Sequence, residues 1–300
     1  MAKLVKLKGN TYYIETAASI GIIVNDEGRA IIVDTGIDDD SGRKTLRLIK
    51  EEGFIPAAII NTHFHADHCG GNSFIIKRES IPVYASGLEK AAIENPILEP
   101  YYLFSANPLT VMKNKFLMAK ESKVDYVVQE GKLEIEGVEL NIIPLPGHSP
   151  EMIGVATPDD VLFVGDAFFS DRILEKYALA YCTDIGKALD TLKYLKTLKY
   201  DYFVPAHGVV LEDPNPTIDR NIEQTYEIKD KIEAFCNSPK SREEIVAYIS
   251  GLYNIKLNIS QYYLTSSTIS AYLSYMTDQG MLGAKVTENN IKWTKVIKEI

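Results

Sequence analysis

Residues 62–68 read Thr-His-Phe-His-Ala-Asp-His, so three of the chain's five histidines, His63, His65 and His68, fall in one short run with Asp67 among them. The other two each follow a tight turn, His148 in Pro-Gly-His-Ser and His207 in Pro-Ala-His-Gly. Asp166 closes the run Phe163-Val164-Gly165-Asp166 at the end of an apolar stretch. No histidine is left over for surface or core use. Imidazoles and carboxylates grouped in this way are the donors a transition-metal site needs.

Outward from this cluster the chain alternates strands and helices. Residues 57–61 form an apolar strand that delivers the chain into the cluster, and Gly70-Gly71-Asn72 opens a helix running to Lys77. Upstream, residues 4–7, 11–16, 20–25 and 30–33 are rich in β-branched residues and broken by turn dipeptides, so they read as strands. Residues 38–52 read as a helix, acidic at its start and closed by Gly53. Downstream come a strand at 82–85 and a helix at 87–95. A second strand series follows at 124–128, 132–136, 138–143, 152–156 and 161–164. Helices are expected at 171–178 and 184–198, and a strand at 202–204 leads to His207. Two strand sets with helices outside them predict a sandwich of two sheets with helices on both outer faces. The Pro-broken segment 96–122 carries Tyr101, Tyr102, Phe104, Met112, Phe116 and Met118. It reads as a lid or an interface, with ordinary core packing as the alternative.

From about Pro214 the character changes. Helical patterns cover 218–236 and 241–250, the second opened by a capping box of Ser241 and Glu244. Residues 261–280 supply one long helix or a helix pair, and 281–297 read as a β-ribbon turning at Asn289-Asn290. Helices followed by a small hairpin resemble a winged helix. The expected organisation is therefore α+β, with a sandwich domain over 1–213 and a small, mainly helical domain over 214–300.

Composition narrows the function classes. At 300 residues and 46% hydrophobic content the chain can bury a large core. A net charge of −9 disfavours non-specific binding to nucleic acid or anionic membrane. Positive charge in the last sixty residues is sparse, with no arginine after Arg242. Cys69, Cys182 and Cys236 are few and widely spaced, which points to free thiols in a reducing cytoplasm. The N-terminus lacks the apolar core of a signal peptide, and no stretch approaches 18 apolar residues, so no membrane span is expected.

Histidines two apart on a turn can face one point, while Asp67 and His68 serve a second point nearby. A carboxylate such as Asp166 between them can bridge two cations with its two oxygens. A water bound to such ions is acidic enough to attack at neutral pH, with no Ser, Cys or Thr nucleophile. Thr-His-Phe-His-Ala-Asp-His, followed in order by Pro-Gly-His-Ser, Val-Gly-Asp and Pro-Ala-His-Gly, resembles the metallo-β-lactamase superfamily over roughly residues 10–212. The resemblance implies an αββα sandwich. It implies His63, His65 and His148 around one metal, Asp67, His68 and His207 around a second, and Asp166 bridging. It also makes Asp34, in Val-Asp-Thr-Gly, a buttress of the metal loop, and Asp67 the residue that orients the attacking water. Cys69 reads as a small packing residue, since seven ligands already saturate two sites.

Within the superfamily, true β-lactamases lack a carboxylate at the Asp166 position. Flavin-linked diiron members have a Glu where this chain has His65. The span from Asp166 to His207 is too short for the insertion of one nuclease branch. What remains resembles the glyoxalase II-like and lactonase-like hydrolases. The expected activity is binuclear hydrolysis of an ester, thioester or lactone of a small, partly apolar substrate, the apolar acyl group being suggested by segment 96–122 with Phe168 and Phe169. A mononuclear iron persulfide dioxygenase and an RNA-processing metallohydrolase are the alternatives. Two divalent ions are expected, zinc first, with iron or manganese also suited to such donors. A small-molecule substrate and a homodimer are expected, with nucleic acid and membrane disfavoured.

Overall fold

The computed structural model describes residues 3–297. Its first half comprises β1 (Leu4–Lys8), β2 (Thr11–Ile14), β3 (Ile20–Val24), β4 (Arg29–Val33), α1 (Asp39–Glu51), β5 (Ile55–Ile60), α2 (Ala66–Cys69), α3 (Asn72–Glu79), β6 (Val83–Ala85), α4 (Gly87–Glu94), α5 (Leu98–Phe104) and β7 (Tyr126–Val127). The seven strands form one sheet in sequence order. The first four pair antiparallel, and β4 through β7 run parallel. Parallel strands need cover on both faces, and β4 and β5 are accordingly rich in Ile, Val and Ala and buried on both sides, as is the neighbouring antiparallel β3.

The second half begins with β8 (Gly131–Ile135), β9 (Val138–Pro144), β10 (Ile153–Ala156) and β11 (Val161–Gly165), then α6 (Asp171–Tyr177), α7 (Ile185–Leu195) and β12 (Tyr202–Pro205). These strands make a five-stranded sheet, β12-β11-β10-β9-β8, in which only β11 and β12 are parallel. Between the sheets lies one buried cluster, with Ile23, Ile31 and Ile60 facing Leu140, Val155 and Phe163. The approach is close at Gly21, where any Cβ would lie 2.6 Å from the Phe163 ring. Outside the first sheet, Leu46 and Ile49 of α1 and Ile75 of α3 cover Ile22, Ile32 and Ile59. Outside the second, Leu192 and Leu195 of α7 cover Ile143 and Leu162. The architecture is the expected α+β sandwich.

The remaining chain forms α8 (Asn215–Phe235), α9 (Arg242–Leu252), α10 (Ile259–Asp278) and a ribbon of β13 (Leu282–Thr287) and β14 (Asn290–Lys295). The capping box at Ser241 and Glu244 is present with both of its hydrogen bonds. Ile228, Ile245, Ile269 and Tyr272 pack in one cluster with Ile185 and Leu189 of α7, so the last helices share a core with the sandwich.

Several expectations are corrected. The strand near 124–128 belongs to the first sheet, because Tyr84 of β6 pairs with Tyr126. Of the two readings of 261–280, the single long helix holds, as α10. The ribbon turns at Glu288-Asn289, whose φ angles of 51° and 58° form the tight turn, and Asn290 already pairs with Thr287. Segment 96–122 holds α5 and a short 3₁₀ turn. Leu103, Met112 and Leu117 make a small core there against Tyr263 and Leu264 of α10, while Phe116 is exposed.

Candidate metal centre

β5, β11 and β12 all end at one edge of the sandwich, and the loop after β9 returns there. His63 follows the end of β5, and His65 stands directly before α2, which carries Asp67 and His68. His148 follows Gly147, whose φ of 135° suits a residue without a side chain. Asp166 follows Gly165 at the end of β11, and His207 comes two residues after β12.

All seven sequence-expected residues converge. One donor atom from each of His63, His65 and His148 lies within 4.8 Å of the others, and the same holds for His63, His68 and Asp166 and for Asp67, His68 and His207. Asp166 sits centrally. Its Oδ1 is 3.5 Å from His68 Nε2, and its Oδ2 is 3.4 Å from His148 Nε2 and 3.5 Å from His207 Nε2. Asp67 Oδ2 lies 3.1 Å from His207 Nε2.

The outward-facing nitrogens are held from behind. Asp34 Oδ2 takes His68 Nδ1 at 2.8 Å and accepts from the Thr62 hydroxyl, while its Oδ1 accepts from the Thr62 amide. His148 Nδ1 donates to Tyr181 O at 2.9 Å and His207 Nδ1 to Ala17 O at 2.7 Å. Such bonds fix the rings so that the opposite nitrogen faces inward. Asp34 holds this place with a left-handed backbone, φ 62°, which Asp tolerates better than most residues.

Buried polar atoms ordinarily have partners. Here His63 Nε2, His65 Nε2, His68 Nε2 and Asp166 Oδ1 are buried with none. Four orphaned acceptor-capable atoms in one cluster are what a cation would satisfy, so the residues fit divalent metal.

The electrostatics divide the histidines: at His68, burial is outweighed by Asp166 and Asp34, which raise the ring well above the usual histidine range. Burial, then the neighbouring imidazoles, pushes His63 and His65 well below the usual histidine range, and burial lowers His148, so all three favour the neutral, ligating form. Burial opposes charge on Asp166 and Asp67, but His207 and His68 outweigh it at Asp166, and His68 and His207 at Asp67. Asp166 is held well below the carboxylate range and Asp67 at about 2. Asp166, against some burial and with help from Asp67, raises His207 to about 9.

Cys69 donates its thiol to Phe64 O at 3.0 Å, deep in the first sheet's outer core, as a packing residue should. Two contributors, Glu89 and Tyr181, escape sequence reasoning, and a third, Phe169, does not. Glu89 of α4 is fully buried and holds both the loop of His63 and His65 and that of His148. Tyr181 places its ring 5.4 Å from His65 and 5.7 Å from His148. Phe169 lies 5.8 Å from His148 and stacks on His207 at 6.4 Å. Phe168-Phe169 beside Asp166 is legible in the sequence as apolar substrate surface; nothing in the sequence marks Glu89 or Tyr181.

The chain belongs to the metallo-beta-lactamase superfamily, which matches residues 13–207. It is 29% identical over 215 residues to a protein named Probable metallo-hydrolase YqgX from Bacillus subtilis, covering 69% of this chain and 89% of that one. It is 29% identical over 155 residues to a hydroxyacylglutathione hydrolase of Xylella fastidiosa. That match spans 50% of this chain and 45% of the relative, so it covers about half of each. A beta-lactamase domain protein from Burkholderia ambifaria shares the fold across 98% of this chain and 93% of its own, with a TM-score of 0.75 and 17% identity. The protein is a metal-dependent hydrolase. Among the described residues no helix is long and apolar enough to cross a membrane.

Proposed function

We propose that this protein hydrolyses an ester, thioester or lactone of a small, partly apolar substrate with two metal ions. His63, His65 and His148 would hold one ion, Asp67, His68 and His207 the other, and Asp166 would bridge them. The observation that carries this reading is Asp166, whose two oxygens reach toward histidines of both sets. Bound there, the ions would supply Lewis acidity toward a carbonyl and a water acidic enough to attack at neutral pH.

The chain's own residues do the rest. Asp67, ionised at neutral pH and partly open to solvent, can orient an attacking water and accept its proton. Phe169 and Tyr181 wall the histidines with carbon and limit access of bulk water. Zinc is the favoured ion. We further assign residues 1–213 to a catalytic domain and 214–300 to a helical, winged-helix-like one, in a homodimer. Three buried free thiols support a cytoplasmic setting.

Metal quantification on protein purified without chelator tests this, joined to anaerobic assays of ester and thioester cleavage. Two ions per chain and oxygen-independent turnover are expected. The double variant His63→Ala, Asp166→Ala should lose both metal and turnover. One iron per chain with oxygen uptake would overturn the reading.

A further inference from the structure

Behind the metal centre, between α6, α7 and α8, lies a cavity of about 70 Å³ whose inner end opens on His148, Asp166 and Phe169. Its body is aliphatic, with Leu145, Leu174, Ile185, Leu192 and Ile228 among the lining side chains. No Lys, Arg or Glu lines it among the described residues.

Tyr181 and Tyr272 add two phenol rings to the lining, and its other polar side chains hydrogen-bond within the protein. The Thr191 hydroxyl donates to Pro146 O at 2.7 Å, and the Thr225 hydroxyl to Asn221 O at 2.8 Å. The Asn221 amide accepts from Phe169 N and donates to Phe169 O and Thr217 O. Gln224 Oε1 accepts from Arg220, and the Cys182 thiol donates to Gly147 O. Inside the cavity a ligand therefore meets mainly carbon, and it meets groups that carry charge near neutral pH only at the His148 and Asp166 end.

We propose that this cavity is the acyl subsite, specific for a short, unbranched, uncharged aliphatic acyl group, with α8 forming its far wall. This rests on the acyl-hydrolase reading above. At about half the roughly 150 Å³ that accommodates benzene, the space takes a chain of about three to four carbons. The carbonyl then lies at the His148 and Asp166 end. The leaving group extends toward Asp67 and His207, the more open members of the cluster. A terminal carboxylate, as in a succinyl group, would be buried with no Lys or Arg to pair it and is refused.

The test uses the full-length metal-loaded enzyme with p-nitrophenyl acetate, butyrate and octanoate. The expected kcat/KM favours butyrate over octanoate by about tenfold or more, since a single methylene is worth that much in a closed pocket. Ile228→Ala and Leu174→Ala widen the cavity from opposite sides, and each should shift preference toward octanoate. Having two variants guards against one failing to fold. Thermal unfolding is measured in parallel, where butyrate should raise Tm more than octanoate or succinate does. Octanoate turned over as well as butyrate, or an unchanged chain-length profile in both folded variants, overturns this inference while leaving the hydrolase reading standing. If no ester of any length is cleaved, the hydrolase reading fails, and the order of stabilisation by the three carboxylates still decides the subsite.

Discussion

The Glu89 carboxylate accepts from Phe64 N at 3.0 Å, the Ser149 hydroxyl at 2.8 Å and Glu151 N at 2.9 Å. Those donors flank His63, His65 and His148, so one side chain fixes the spacing of three metal-facing rings. Each buried donor left without a partner costs about 1–3 kcal/mol. Glu89→Ala should therefore lower stability by about 3 kcal/mol or more, and weaken metal binding. Glu89→Gln keeps an acceptor oxygen and should lose less on both counts. Denaturant midpoints and metal titration read this out, and an alanine variant equal to wild type would refute it. His207 gives a second prediction. Its pKa of about 9 lies above the ordinary histidine value of about 6.5. The protonated ring thus stabilises the metal-free fold fully below about pH 6.5, and that contribution is lost as pH rises through 9. Chelator-treated protein should show Tm falling across this window, and His207→Gln should flatten the fall. A Tm that climbs with pH there would contradict the charge assignment.

At the scale of elements, the His148 loop and the start of α7 are built as a unit. The amides of Thr183 and Asp184 both donate to Gly147 O, at 2.9 and 3.0 Å. A Cβ on Gly147 would lie 2.5 Å from Ala188 Cα, at a φ of 135° that side chains rarely adopt. Gly147→Ala should cost on the order of 1–3 kcal/mol, and displace His148. Metal content should fall while far-UV dichroism stays near wild type; full metal occupancy would refute the prediction. The same elements show what a sequence can carry. Runs such as Ile20–Val24 and Ala57–Ile60 read as strands because strands covered on both faces must be aliphatic throughout. Ser241 and Glu244 read as a cap because capping is local chemistry. β7 was misplaced because its two exposed residues carry no pattern, and only pairing with distant β6 assigns its sheet. Glu89 was missed because α4 reads as an ordinary helix, in which nothing local separates Glu89 from Glu94. Ligands legible from motif spacing and supports legible only in three dimensions divide along that line.

Across the whole molecule, α8 reaches from beyond the sandwich into the metal centre. The Asn221 side chain accepts from Phe169 N at 3.0 Å and donates to Phe169 O at 2.8 Å, clamping both backbone groups of the residue whose ring faces His148 and His207. Neighbouring Ile228 and Ile232 of α8 share a cluster with Ile185 and Leu189 of α7, so the helix cannot drift without opening that core. Position 221 is thus a point where the last third of the chain acts on chemistry performed by the first two. Asn221→Ala removes the clamp and leaves the apolar cluster in place. It should cost about 1–3 kcal/mol of stability for the stranded Phe169 groups. Metal content should be unchanged, because no metal-facing residue is touched. Turnover should drop mainly through KM, since the wall that seats the substrate loosens while the attacking groups stay fixed. Steady-state kinetics beside metal analysis decides the matter. A variant that loses metal, or keeps wild-type KM, would place the role of α8 in holding the fold together and not in shaping the site.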